Sequence, residues 1–138
     1  MRTALDTNIV SALWSNEPTA ATIAGRLADA RQQGAVLISG IVYCELLAYP
    51  NASEGYVNDF CTNTGITIDP ELRNEAWREA GRRFARYADR RRRSGAGSSK
   101  RFVADFLVGA HALLQAERLM TADARRYQQD FPDLLLYA

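Results

Sequence analysis

The sequence is poor in the side chains on which the chemistry of small proteins most often depends. Its 138 residues include one histidine, His111, two cysteines, Cys44 and Cys61, and one lysine, Lys100. A single histidine excludes an imidazole acid–base pair and argues against a histidine-rich metal site. Two cysteines make neither a disulfide framework nor a zinc knuckle, and each reads as a small core or helix residue. Long apolar runs are also missing. The stretch from Phe102 to Leu114 is interrupted by Asp105 and His111 and is too short to span a bilayer. The first ten residues lack a basic stretch followed by an apolar core, so no secretory leader is expected and a cytoplasmic protein without a membrane is the default.

What remains is an ordinary globular composition with an uneven charge. Hydrophobic residues make up 47% and charged residues 24%, which suits one domain with a real core. No repeat and no second domain is visible. The net charge is only +1, yet residues 71–101 hold eleven Arg/Lys against four Asp/Glu, and the rest holds six against twelve. A basic segment beside an acidic body suits a protein that grips a polyanion with one face and a cation with another.

Along the chain, apolar runs alternate with helical periodicity. Strands are predicted at Thr3–Leu5, Ala35–Ile38, Gly65–Ile68, Leu119–Met120 and Leu134–Tyr137. Helices are predicted from Asn8 to Trp14, from Pro18-Thr19 to Gly34, from Val42 to Ala48, from a Ser53 cap to about Asn63, from Phe102 to Gln115 and from Ala122 to Gln129. Asp69-Pro70-Glu71 reads as a helix start, a capping carboxylate followed by a proline at the first helical position. That helix continues through Ala76, Ala80, Phe84 and Ala88 to a flexible Gly/Ser break at Gly95–Ser99. The alternation implies an α/β/α sandwich around a mostly parallel sheet. Ligands of such sheets sit beyond the carboxyl ends of the strands.

Of four candidate carboxylates, three fall at or just after a predicted strand end, where that rule looks for chemistry, and the fourth, Asp105, comes from a helix. Asp6 follows the first strand and also suits a helix cap. Glu45 is wedged between Cys44 and Leu46 at a helix start after a buried strand. Asp105 lies within an apolar helix, where an acid is costly unless paired or metal-bound. Gly109 and Ala112, on the same face, would leave room for a ligand. The bland alternative for Asp105 is a cap after a frayed first turn. Asp123 stands where the fourth strand turns into a helix, and it also suits the helix dipole. Four such acids in one cleft repel each other and need a cation. Hard oxygen donors select Mg²⁺ or Mn²⁺, ions that activate water and stabilise charge on a phosphate.

These segments resemble the PIN-domain family and, within it, the VapC-type toxins of bacterial toxin–antitoxin pairs. The likeness runs from Leu5-Asp6-Thr7-Asn8 through Tyr43-Cys44-Glu45-Leu46, Asp105–Ala112 and Thr121-Ala122-Asp123 to Phe131-Pro132. It rests on the order and spacing of motifs that are weak singly. The resemblance implies one PIN-like nuclease domain over residues 1–138, with Mg²⁺-dependent endoribonuclease activity. The family's acids would fall on Asp6, Glu45, Asp105 and Asp123, with supporting hydrogen bonds from Thr7, Asn8 and Thr121. It also implies a homodimer held inactive by a small antitoxin, or else an RNA-processing nuclease outside any toxin system.

The basic residues have two readings. Arg90, Arg91, Arg92 and Arg93, with Lys100 and Arg101 after the break, read either as a mobile arm on RNA phosphates or as a solvated helix end. Arg125 and Arg126 lie beside Asp123, where one of them is placed to contact the scissile phosphate or to pair with an acid. His111 reads as a packed or hydrogen-bonded helix residue, and Trp14, Trp77 and Phe84 as core or interface residues. Two other function classes compete with the nuclease. An aspartyl phosphoryl-transfer domain would use Asp6 as acceptor, but Asn8 stands where its phosphatase form needs an acid, and Lys100 is the only lysine for its receiver form. A non-catalytic RNA- or protein-binding module would make the acids structural.

Overall fold

The computed structural model describes residues 1–95 and 100–137. Five strands, β1 (Thr3–Leu5), β2 (Val36–Ser39), β3 (Ile66–Asp69), β4 (Arg118–Met120) and β5 (Leu135–Tyr137), pair in the order β3-β2-β1-β4-β5. Every pairing is parallel. Parallel neighbours need crossovers, and helices supply them. These are α1 (Thr7–Trp14) and α2 (Ala20–Gln33), α3 (Gly40–Leu47) and α4 (Glu54–Thr64), α5 (Asn74–Ser94) and α6 (Val103–Gln115), and the short α7 (Arg125–Gln128). The expected parallel α/β architecture is therefore present.

The three inner strands are buried along their whole length. Continuous apolar runs, rather than alternation, are what a parallel sheet covered by helices requires. Long helices close the core beside them: Phe106 of α6 packs edge-on against Phe84 of α5, with centroids 5.2 Å apart. Among the described residues no helix is long and apolar enough to cross a membrane.

The strand order fixes the position of the site. From the central β1 the chain steps to β2 and β3 on one side, then returns to place β4 and β5 on the other. The crevice between the ends of β1 and β4 is thus a topological switch point, where open α/β sheets bind ligands. The register Leu5↔Met120 brings the next residues, Asp6 and Thr121, side by side.

Short polar residues start the helices that leave this end. Asp6 caps α1, Ser39 caps α3 by accepting from Val42 N at 3.2 Å, and Ser53 caps α4 as expected, accepting from Tyr56 N at 3.1 Å. The expected cap at Asp69 is not made, and α5 begins at Asn74. Asp69 instead ends β3, paired with Ser39, and its carboxylate is engaged by His111 and Gln115 at 2.9 and 3.1 Å. Gln115 also bonds Glu71 O and Arg73 N, which holds the link out of the helix. The last predicted helix shortens to Arg125–Gln128 because Thr121 bonds Asp6 and Asp123 instead of a helix end. Of the Gly/Ser break, residues 96–99 lie outside the described residues.

Candidate active site

Asp6 is the buried member, 5% exposed. Its Oδ1 accepts from Thr7 N at 2.9 Å. Its Oδ2 accepts from the Thr121 hydroxyl and the Tyr127 hydroxyl, both at 2.9 Å, and from Asn8 Nδ2 at 3.4 Å. Burial raises its pKa above the usual aspartate range, and the bonds from Thr121, Tyr127 and Thr7 and the Arg126 charge work against that rise. Thus Asp6 is both the helix cap and a carboxylate held rigidly at a strand end.

Three bridging residues tie the other acids to it. Thr7, which donates its N–H to Asp6, donates its hydroxyl to Glu45 Oε1 at 2.6 Å. Thr121, which donates to Asp6, accepts from Asp123 N at 3.0 Å. Arg126 lies between Asp105 and Asp123, with Nη1 3.4 Å from Asp105 Oδ1 and Nε 3.4 Å from Asp123 Oδ2. Burial disfavours the Arg126 charge, but the combined attraction of Asp105, Asp123 and Asp6 overrides it and its pKa rises. Asn8 completes the set by accepting from Ala122 N at 3.1 Å.

Glu45, Asp105 and Asp123 line a cleft of about 580 Å³, shared with Lys100, Arg101, Phe102, Arg125 and Arg126. Asp6 is not among its lining residues and is linked to Glu45 through Thr7 and to Asp123 through Thr121. The donors are oxygens throughout, the kind that suits a hard divalent ion. Among the described residues no three metal-ligating side chains are gathered closely enough to hold an ion as they stand. Arg126 takes the space between two of the acids, so the donor set fits in chemistry, and a cation already answers its charge.

Several expectations change. Asp105 is not in the middle of its helix. It is the third residue of α6, half-exposed, and its Oδ2 faces Phe102 N at 3.4 Å, so the first-turn reading is realised together with the cleft position. Glu45 is the sixth residue of α3, not at its start, and is exposed. Gly109 leaves no room for a ligand, because a Cβ there would lie 2.6 Å from Phe131 Cε2. His111 is 1% exposed and bonded to Asp69, as a packed histidine should be. Burial lowers its pKa, against the pull of Asp69. Trp77 is 53% exposed and not in the core, whereas Trp14 packs edge-on against Tyr49, Tyr56 and Phe60.

The basic run is helix, not a loose arm. Arg90–Arg93 form the end of α5. Arg90 pairs with Asp130, and Arg92 and Arg93 face Asp89 at 3.7 and 3.1 Å. Arg90, Arg91 and Arg93 line a second cleft of about 670 Å³, which shares Arg101 with the first. Tyr127 was not anticipated. The available signal is a lone aromatic in a polar helix four residues after Asp123, since a buried phenol needs a partner for its hydroxyl.

The protein is thus a parallel α/β domain with linked carboxylates at its switch point. The PIN domain family matches residues 3–132, and the chain belongs to that family. Two solved structures share the fold. One is VapBC2 from Rickettsia felis bound to a DNA fragment from their promoter, with a TM-score of 0.76, 19% identity, and coverage of 99% of this chain and 98% of that one. The other is VapBC-1 from nontypeable Haemophilus influenzae, with a TM-score of 0.65, 22% identity, and coverage of 99% and 97%. No curated protein matches the chain.

Proposed function

We propose that this protein is a metal-dependent endoribonuclease, the VapC-type toxin of a toxin–antitoxin pair, kept inactive by a small cognate antitoxin. The observation that carries the reading is the linkage of Asp6, Glu45, Asp105 and Asp123 through Thr7, Thr121 and Arg126 at the switch point of a PIN domain. Asp6, oriented by its four donors, would hold Mg²⁺ or Mn²⁺ together with Asp105 and Asp123, and Glu45 would ligate the ion through water or orient the attacking water. When bound, such an ion neutralises the acids and stabilises charge developing on a phosphate. Lys100, Arg101 and Arg125 line the same cleft and would draw in the RNA backbone by charge. Arg90, Arg91 and Arg93 extend that basic lining into the neighbouring cleft, and Arg92 adds charge at the same helix end. A homodimer is part of the proposal, as for VapC-type proteins.

An aspartyl phosphoryl-transfer role fits less well. Asp6 is buried with both oxygens occupied by donors, a poor nucleophile, and Lys100 lies over the Phe102 ring. The VapBC names of the two solved structures support an antitoxin partner. Growth on induced expression tests the toxin reading. The wild type should arrest growth, co-expression of a small protein encoded directly upstream should relieve the arrest, if one is found there, and Asp105→Asn should be harmless at equal expression. Arrest by Asp105→Asn equal to wild type would refute the proposal.

A further inference from the structure

We propose that Arg126 is a built-in counter-ion of the acid cleft, which a divalent cation must displace before Asp105 and Asp123 can hold it. The inference rests on the metal-site reading above. The geometry sets Arg126 apart from Arg83, a buried arginine of α5. Arg83 grips Asp133 with two bonds of 2.7 and 2.9 Å and donates to Asp130 O at 3.0 Å, and its side chain is 10% exposed. That is a locked fork of the ordinary charge-assisted length. Arg126 makes two single contacts of 3.4 Å, to different carboxylates, and its side chain is 39% exposed. It is held by charge rather than by fit, and it has solvent to move into.

Position and chemistry then make it a competitor. Arg126 follows Asp123 by three residues, so the turn that presents the acid also presents the cation. A guanidinium has donors only and cannot share a ligand role with a metal ion. Two cations between the same two carboxylates repel, so one must leave. In the metal-free protein Arg126 offsets the mutual repulsion of Asp105 and Asp123. The cleft therefore stays closed to cations at low concentration and accepts one only when it outbids the arginine.

Mn²⁺ alone, titrated calorimetrically into the metal-free full chain, tests this. Arg126→Gln should bind Mn²⁺ more tightly, on the order of tenfold, because two partly exposed ion pairs no longer compete. Arg126→Lys should stay near wild type. Arg125→Gln, which removes the same charge from the same cleft, should change affinity far less. Equal or weaker binding by Arg126→Gln overturns the displacement role, as does an equal gain in Arg125→Gln, which would reduce the effect to general charge. Binding in none of the proteins refutes the metal site itself, and the competitor with it. Binding that Arg126→Gln leaves unchanged refutes only the competitor. Circular dichroism melts of each variant confirm that folded proteins are being compared.

Discussion

Replacing Tyr127 with phenylalanine removes one oxygen and leaves a buried ring in place. The ring is 1% exposed and lies tilted by 54° against Phe131, with centroids 6.4 Å apart, and phenylalanine keeps that packing. The lost bond runs to Asp6 Oδ2 at 2.9 Å, inside a region closed to water. A hydrogen bond to a buried charge contributes about 1.5–3 kcal/mol. Oδ2 keeps its bond from Thr121, so the cost should fall near the lower end, about 1.5 kcal/mol. For a domain of this size that lowers the melting temperature by roughly 5 °C. The assay is thermal and urea unfolding of wild type, Tyr127→Phe, Asp6→Asn and the double variant. With asparagine at position 6 the acceptor is neutral and the bond is worth about half as much, so a coupling of about 1 kcal/mol should appear. A cost below about 0.5 kcal/mol for Tyr127→Phe, or the same cost in both backgrounds, would refute the view that this hydroxyl holds the Asp6 carboxylate.

Other outcomes follow from the same contacts. Asp6 has a folded pKa above its unfolded value, so the folded state holds its proton more tightly. Its contribution to stability is fully present below about pH 3.9 and is lost as pH rises through the raised folded value. Unfolding by urea in chelator across that range should show this descending component, and Asp6→Asn should remove it. Gly109→Ala would ordinarily stabilise a helix by about 1 kcal/mol. Here the added Cβ meets the Phe131 ring at 2.6 Å, and overpacking of about 1–3 kcal/mol should win. A gain in melting temperature for Gly109→Ala would contradict that contact.

The sheet was largely legible because buried parallel strands write themselves as short apolar runs, such as Val36–Ile38 and Leu119–Met120. Asp6 was legible for the same reason, as the polar residue that ends such a run. Local propensity misled where tertiary bonds outbid it. Asp69-Pro70-Glu71 has the chemistry of a helix start, but His111 and Gln115 take the Asp69 carboxylate. No local signal announces partners more than forty residues away. Asp105 was noticed for a cost it does not bear, since it lies in the first turn of α6. Gly109 shows the converse error, because a small residue marked the seat of Phe131 and not a vacancy. The sequence places one of Arg125 and Arg126 at the scissile phosphate or beside an acid, but that Arg126 is the one and bridges two acids is a matter of placement by a four-residue helix.

Metal-dependent cleavage of RNA is the chemistry proposed for these carboxylates. Its most direct measurement is the cleavage of purified RNA by the isolated protein with Mg²⁺ or Mn²⁺, with chelator, and in the Asp6→Asn and Asp105→Asn variants. The wild type should cleave only when the ion is present, and both variants should lose cleavage while their circular dichroism remains that of a folded α/β domain. Wild-type-like cleavage by either folded variant, or cleavage unaffected by chelator, would contradict it.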